Sequence, residues 1–210
     1  MTAPPTPSQA DLAYEAVRDL LVRLEIAPGA PIVESELMER TGFGRTPLRE
    51  ALNRLESERL VRIFSRRGTF AAGIDLADLA LITDLREELE AHAAERAAER
   101  ATTADREVLA GLAGEIGTGD PEAEMALDTE IHRAIYRAAH NHFLEETAGR
   151  YYNLSMRVWR LYMDRLPDID AHIDEHRDLL DAIVAGEAER AGSLARAHVR
   201  SFETAVRALL

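Results

Sequence analysis

The chain has 210 residues, with 25 basic side chains against 38 acidic ones and no cysteine, a formal net charge of −13. That length allows one large or two small domains with real cores, while the missing thiols exclude disulfides and thiolate metal sites and leave His, Asp and Glu as the strong ligands. With no run of 18 apolar residues and no leading charged-then-apolar segment, neither a membrane span nor a secretory signal is indicated, and a cytoplasmic location is expected.

In chain order, residues 1–7, with Pro4, Pro5 and Pro7, read as a disordered leader. Ser8 and Asp11 are placed to cap a first helix whose apolar face is Ala13, Val17, Leu20, Leu21 and Leu24, ending at Ala27-Pro28-Gly29. A short second helix, about Ser35 to Arg40, stops at Gly42. In the third, Leu48, Ala51, Leu52 and Leu55 fall at i, i+3, i+4 and i+7, one apolar face, while Arg45, Arg49 and Asn53 lie on another. Thr46 before Pro47 reads as the cap followed by the first helical position, which gathers Arg45, Thr46 and Arg49 around the helix N-terminus. Val61 to Phe64 and Thr69 to Ala71 then alternate around Ser65-Arg66-Arg67-Gly68, a two-stranded hairpin with a basic tip. Helix, helix, helix, wing is the order of a winged helix-turn-helix, here over residues 8–72.

Any single exposed arginine is best read as a solvating group. The cluster changes that reading: residues 45–67 hold seven arginines against three acids inside an acidic chain. The planar guanidinium can bond guanine O6 and N7 together, worth about 1–3 kcal/mol of base discrimination, and a helix N-terminus is the end that enters the major groove. The tip residues Arg66, Arg67 and Gly68 are suited to phosphate or the minor groove. Residues 1–74 carry ten arginines and ten acids, which cancel, whereas residues 75–210 carry fifteen arginines and twenty-eight acids. The expectation is a DNA-reading head and an acidic body with a different task.

After a linker at 73–78, every periodic segment of residues 79–210 is helical. Six helices are expected near 76–100, 103–116, 121–139, 142–165, 168–185 and 187–208, packed as an antiparallel bundle. Asp128 and His132 sit four apart on the helix face that carries Ile131 and Ile135, and His176 and His198 come from the fifth and sixth helices. One Asp and three His suit zinc, nickel or manganese. By spacing alone an Asp/His pair at i, i+4 is more often a surface hydrogen bond and a lone histidine more often an ordinary polar residue, the class to which His92, His140, His142 and His172 are assigned.

Two resemblances sharpen this reading. Gly42-Phe43-Gly44-Arg45-Thr46-Pro47-Leu48-Arg49-Glu50-Ala51-Leu52 resembles the DNA-binding signature of the GntR family of bacterial regulators, although many relatives carry Ser at Gly44 and some carry Arg at Ser35. Asp128-Thr-Glu-Ile-His132, Glu175-His176 through Gly186, and Ala195-Arg-Ala-His198 resemble the all-helical FCD effector domain of FadR-type regulators, the six helices being similar to the VanR subgroup. The resemblance implies that Asp128, His132, His176 and His198 bind a divalent metal beside a pocket for a small organic acid. It also implies that Arg86, in Leu85-Arg86-Glu87-Glu88-Leu89-Glu90, grips the carboxylate, with Asn153 and Arg157 as further candidates.

The expected protein is therefore mainly α, a winged helix-turn-helix followed by a helical bundle. Its expected function is a metabolite-responsive repressor, not an enzyme, binding an inverted-repeat operator as a homodimer and released by a small carboxylate. A metal-dependent hydrolase fused to a DNA-binding head, and a regulator whose metal is only structural, stay as alternatives. Against the hydrolase, no general base or oxyanion partner is evident beside the site.

Overall fold

The computed structural model of the chain describes residues 6–117, 120–165 and 169–209. Most of the expected leader, together with Thr118, Gly119 and Pro167, lies outside those residues. The fold is mainly helical and divides into two units: Met1–Asp75 with Met156–Leu161, and Leu76–Ser155 with Tyr162–Leu210.

The first unit begins with a capping box. The Ser8 hydroxyl accepts from the Asp11 amide at 3.1 Å while the Asp11 carboxylate takes the Ser8 amide at 3.1 Å, which starts α1 (Gln9–Val22). Leu24, expected on the helical face, instead lies past the helix end with φ 57°. α2 (Glu34–Thr41) ends at Gly42, whose φ of 75° is the left-handed cap conformation that glycine adopts without a steric penalty. α3 (Arg45–Ser57) turns Leu48, Ala51, Leu52 and Leu55 inward against α1, whose Ala13, Val17 and Leu21 close the core. Tyr14 donates its hydroxyl to the buried Glu58 carboxylate at 2.8 Å, tying the start of α1 to the end of α3.

The wing is a three-stranded antiparallel sheet in the order β1-β3-β2: β1 (Pro31–Ile32), β2 (Val61–Phe64) and β3 (Gly68–Ala71). In register, Val61 faces Ala71 and Phe64 faces Gly68. The sequence reading lacked β1, because two residues are too few to show alternation. Their pairing with Phe70 and Thr69 is a tertiary event.

In the second unit six α-helices are seen among the described residues: α4 (Ala77–Arg100), α5 (Thr103–Glu115), α6 (Pro121–Ala138), α7 (His142–Tyr162), α8 (Ile169–Ala185) and α9 (Ala188–Arg207). Thr102, Asp120 and Asn141 each accept a backbone amide of the helix they precede. α4 and α9 pack closely through small residues, Ala91, Ala94 and Ala98 on one and Ala191, Gly192 and Ala195 on the other. A Cβ at Gly192 would sit 2.6 Å from the Glu95 carboxylate.

Arginine forks hold the open carbonyl ends of neighbouring helices. Arg106 donates to Ala98 O (2.9 Å) and Ile183 O (2.8 Å), ends of α4 and α8, and Arg177 to Ala113 O (3.0 Å) and Ile116 O (3.2 Å) at the end of α5. Such a cation satisfies the carbonyls and complements the helix dipole at once.

Candidate DNA-reading surface and metal centre

Gly44 caps α3 in an extended conformation and no side chain bonds the helix start, so Thr46 and Pro47 are its second and third residues rather than cap and first. Proline is tolerated there because the first-turn amides have no intrahelical acceptor. Arg45 and Arg49 stay well exposed at 70% and 65%, and both aim Nε at one carboxylate, Glu34 of α2, at 3.7 and 3.0 Å.

At the wing tip, Arg66 is held at φ 78° and Gly68 at φ 93°. Arg67 lies 5.5 Å over the Phe64 ring, which meets Phe70 edge-on at 5.8 Å. The Ile63 amide donates to Glu56 of α3 at 2.9 Å, so the wing is anchored to the helix beside it. The six residues expected to meet DNA, Arg45, Thr46, Arg49, Arg66, Arg67 and Gly68, thus lie on two exposed features of the first unit, the start of α3 and the hairpin tip.

In the second unit, α6, α8 and α9 bring Asp128, His132, His176 and His198 together with every side chain buried and one ligand atom from each within 4.8 Å of the others. The tautomers follow from the partners. His132 Nδ1 lies 2.7 Å from the Glu90 carboxylate, His176 Nδ1 3.3 Å from the Ile173 carbonyl, and His198 Nδ1 2.9 Å from the Glu175 carboxylate. Carbonyls and carboxylates only accept, so each Nδ1 carries the hydrogen and each Nε2 is a bare lone pair.

Two of those lone pairs, on His132 and His176, face each other at 3.3 Å. Asp128 Oδ1 is buried without a hydrogen-bond partner, 3.8 Å from His132 Nε2 and 3.6 Å from His176 Nε2, while its Oδ2 accepts from Tyr152 at 2.7 Å. Converging lone pairs with no donor between them repel one another. A divalent cation would reverse that, since bonds of about 2.0–2.1 Å separate neighbouring ligands by roughly 3.3 Å. The donor set fits the ion.

Electrostatics agree. Burial pushes His176 down to about 4 and His198 well below its ordinary value, with neighbouring imidazoles adding to the effect on His198, so both are neutral at physiological pH as ligation requires. Burial likewise keeps the Tyr136 and Tyr152 hydroxyls protonated. Burial alone would raise the Glu90 carboxyl, but Arg86 and His132 outweigh it and hold Glu90 well below the usual carboxylate range.

Arg86 is buried on α4 with its Nε 2.8 Å from Glu90 Oε1, and its Nη2 on the same oxygen. Asn153 is buried on α7, and Arg157 lies in the stretch of α7 grouped with the first unit, where it donates to the Ala72 carbonyl. His172, assigned to the ordinary class, in fact stacks on His198 at 4.1 Å, and burial pushes it down to about 3.

Glu90, Tyr136, Tyr152 and Glu175 were not foreseen. Arg86 with Glu90 and His132 with Tyr136 are i, i+4 pairs that helix geometry offers, but the contact between Glu90 and His132 joins α4 to α6 and has no local signature.

The profile described as bacterial regulatory proteins, gntR family, matches residues 9–71, and the FCD domain profile matches residues 81–201. The chain is 30% identical over 192 residues to an HTH-type transcriptional regulator in an unstable DNA locus of Streptomyces ambofaciens, covering 90% of this chain and 80% of that one. It is 27% identical to the HTH-type transcriptional repressor GlaR of Escherichia coli, covering 89% of this chain and 90% of that one. Among solved structures, E. coli McbR/YncC superposes with a TM-score of 0.82 at 20% identity, over 97% of this chain and 99% of that one, a likeness of fold. Head and bundle together establish that this chain belongs to the gntR family of bacterial regulatory proteins, in the group that carries an FCD domain.

Proposed function

We propose that this chain is a transcriptional repressor that binds an inverted-repeat operator as a homodimer and is released by a small organic acid bound near a divalent metal. Arg45, Thr46 and Arg49 read the major groove, while Arg66, Arg67 and Gly68 hold phosphate or the minor groove. Relatives named as repressors, GlaR and the probable D-xylose utilization operon repressor of Paenarthrobacter nicotinovorans, support the direction of control.

One observation carries the metal: three bare Nε2 atoms and an unpartnered carboxylate oxygen converge in a buried site. Zinc, nickel and manganese all suit three imidazoles and one carboxylate, and the bound ion supplies positive charge that attracts an anion. Charge balance supports an acid as the second guest. Buried Arg86, Glu90 and Asp128 sum to one negative charge, a divalent ion turns this to one positive, and a monocarboxylate brings it to zero. Arg86 is the guanidinium to grip that acid and Asn153 a further polar candidate; Arg157 donates one terminal nitrogen to the Ala72 carbonyl and keeps a buried Nε without a hydrogen-bond partner. The acid acts only through a difference in its affinity for the DNA-binding and released states.

Elemental analysis tests the centre. Wild type should retain a divalent ion, and the double variant His132→Ala with His176→Ala should retain none; equal content in both rejects the site. Acidification should also release the ion, because protonated imidazoles do not ligate. A thermal-shift screen of small carboxylates with and without metal then identifies the acid, since a ligand of the folded state raises its stability.

A further inference from the structure

We infer that Glu90 is the positioning residue of the metal centre, the side chain that fixes His132 in the one tautomer able to ligate and ties that histidine to Arg86. The inference rests on the metal reading above for its zinc readout and on geometry alone for the tautomer.

Glu90 stands on α4, which contributes no ligand. Its Oε2 is 2.7 Å from His132 Nδ1, and its Oε1 takes two donors of Arg86, with Nε at 2.8 Å. Glu90, Arg86 and His132 are all buried, at 4%, 5% and 2% exposure, so no solvent competes for these bonds. The Tyr136 hydroxyl, 3.4 Å from the same Nδ1, also bonds Glu90 and completes the set.

The chemistry is directional. An ionised carboxylate accepts only, so His132 must place its hydrogen on Nδ1 and its lone pair on Nε2, toward Asp128 and His176. The same bond also holds the orientation of the ring, as carboxylates behind ligating histidines do. Arg86 keeps Glu90 ionised in a setting that otherwise disfavours charge. A ligand that draws Arg86 away from Glu90 therefore acts on His132 through the same carboxylate, which links anion recognition to the ligand set.

Glu175 stands in a like position behind His198 but is half exposed, at 41%, and also accepts from Ser201 at 2.8 Å. Glu90 has the more restrictive setting.

The test is Glu90→Gln, which keeps the shape and removes the charge, with Glu87→Gln as control. Glu87 lies three residues earlier on α4, is itself buried, and pairs with Arg200 at 2.6 Å. In metal-free protein, 15N shifts of the imidazole nitrogens should show His132 wholly Nδ1-protonated in wild type and in Glu87→Gln, and a mixture of tautomers in Glu90→Gln. Zinc affinity, measured by competition with a chromophoric chelator, should fall about 10–100-fold in Glu90→Gln and stay unchanged in Glu87→Gln. An unaltered His132 tautomer in Glu90→Gln overturns the inference, as does an equal zinc loss in both variants, which would mark a general effect of charge or packing. Zinc uptake absent from wild type would instead reject the metal reading, while the tautomer measurement would still decide the role of Glu90.

Discussion

The head and the bundle use the same pair of residue types, arginine with glutamate, to opposite ends. In the first unit Arg45 and Arg49 share Glu34 on an exposed surface, at 3.7 and 3.0 Å, where water and salt leave such pairs worth about 0–1 kcal/mol. In the second, Arg86 and Glu90 are both almost fully buried, and each depends on the other to offset its desolvation. A weak exposed pair can surrender its arginine to a phosphate or a guanine; a buried pair yields only to a ligand that replaces the lost charge. The difference suits the exposed pair to the proposed contact with DNA and the buried pair to the proposed recognition of an acid.

The sharpest way to break that comparison is Arg86→Ala. It leaves the Glu90 carboxylate buried without its charged partner, and removing one partner of a buried pair costs about 3–5 kcal/mol. Urea unfolding followed by circular dichroism should show a loss of that size. Replacing both members with apolar residues, Arg86→Met with Glu90→Leu, should recover most of it, although the proposed metal centre would lose the carboxylate inferred to position His132. A loss under about 1 kcal/mol for Arg86→Ala would mean that the pair behaves like a surface one, and the contrast between the units would fail.

A smaller effect is expected from Arg49→Ala, and in a different quantity. Stability should move by less than about 0.5 kcal/mol, as for most exposed sites. Affinity for a duplex enriched by wild type from a random-sequence pool should drop by about 1–3 kcal/mol in fluorescence anisotropy at fixed salt. Unchanged binding of that duplex would remove Arg49 from the reading surface.

The contrast also explains what the sequence could reveal. Local rules sufficed for the helix starts at Ser8, Thr102, Asp120 and Asn141, where a polar side chain meets a backbone amide a few residues on, and for the inward stripe Leu48, Ala51, Leu52 and Leu55. Local rules also put Asp128 above His132. They misread the start of α3, where Thr46-Pro47 imitates a cap that Gly44 supplies through its backbone conformation alone. The partners that define the centre, Glu90 with His132, Tyr152 with Asp128 and Glu175 with His198, are 42, 24 and 23 residues apart and follow only from helix packing. Arg157 illustrates the same limit. The acceptor of its guanidinium, the Ala72 carbonyl, lies 85 residues away in the chain.

The smallest expected effect, and the one that most sharpens the account of the head, is Arg66→Gly. At φ 78° an L-residue bears a steric penalty of about 1–2 kcal/mol that glycine escapes, but glycine loses more chain entropy on folding, by about 0.5–1 kcal/mol. The net gain in stability should therefore stay below about 1.5 kcal/mol. An arginine held in a strained conformation at an exposed hairpin tip points to selection for its charge rather than for the turn. The same variant should accordingly bind random-sequence duplex more weakly and with a shallower salt dependence, the slope of log affinity against log salt falling by about 0.9 for one lost phosphate contact. Greater stability together with an unchanged salt slope would show that Arg66 touches no phosphate, leaving Arg67 as the basic contact of the wing.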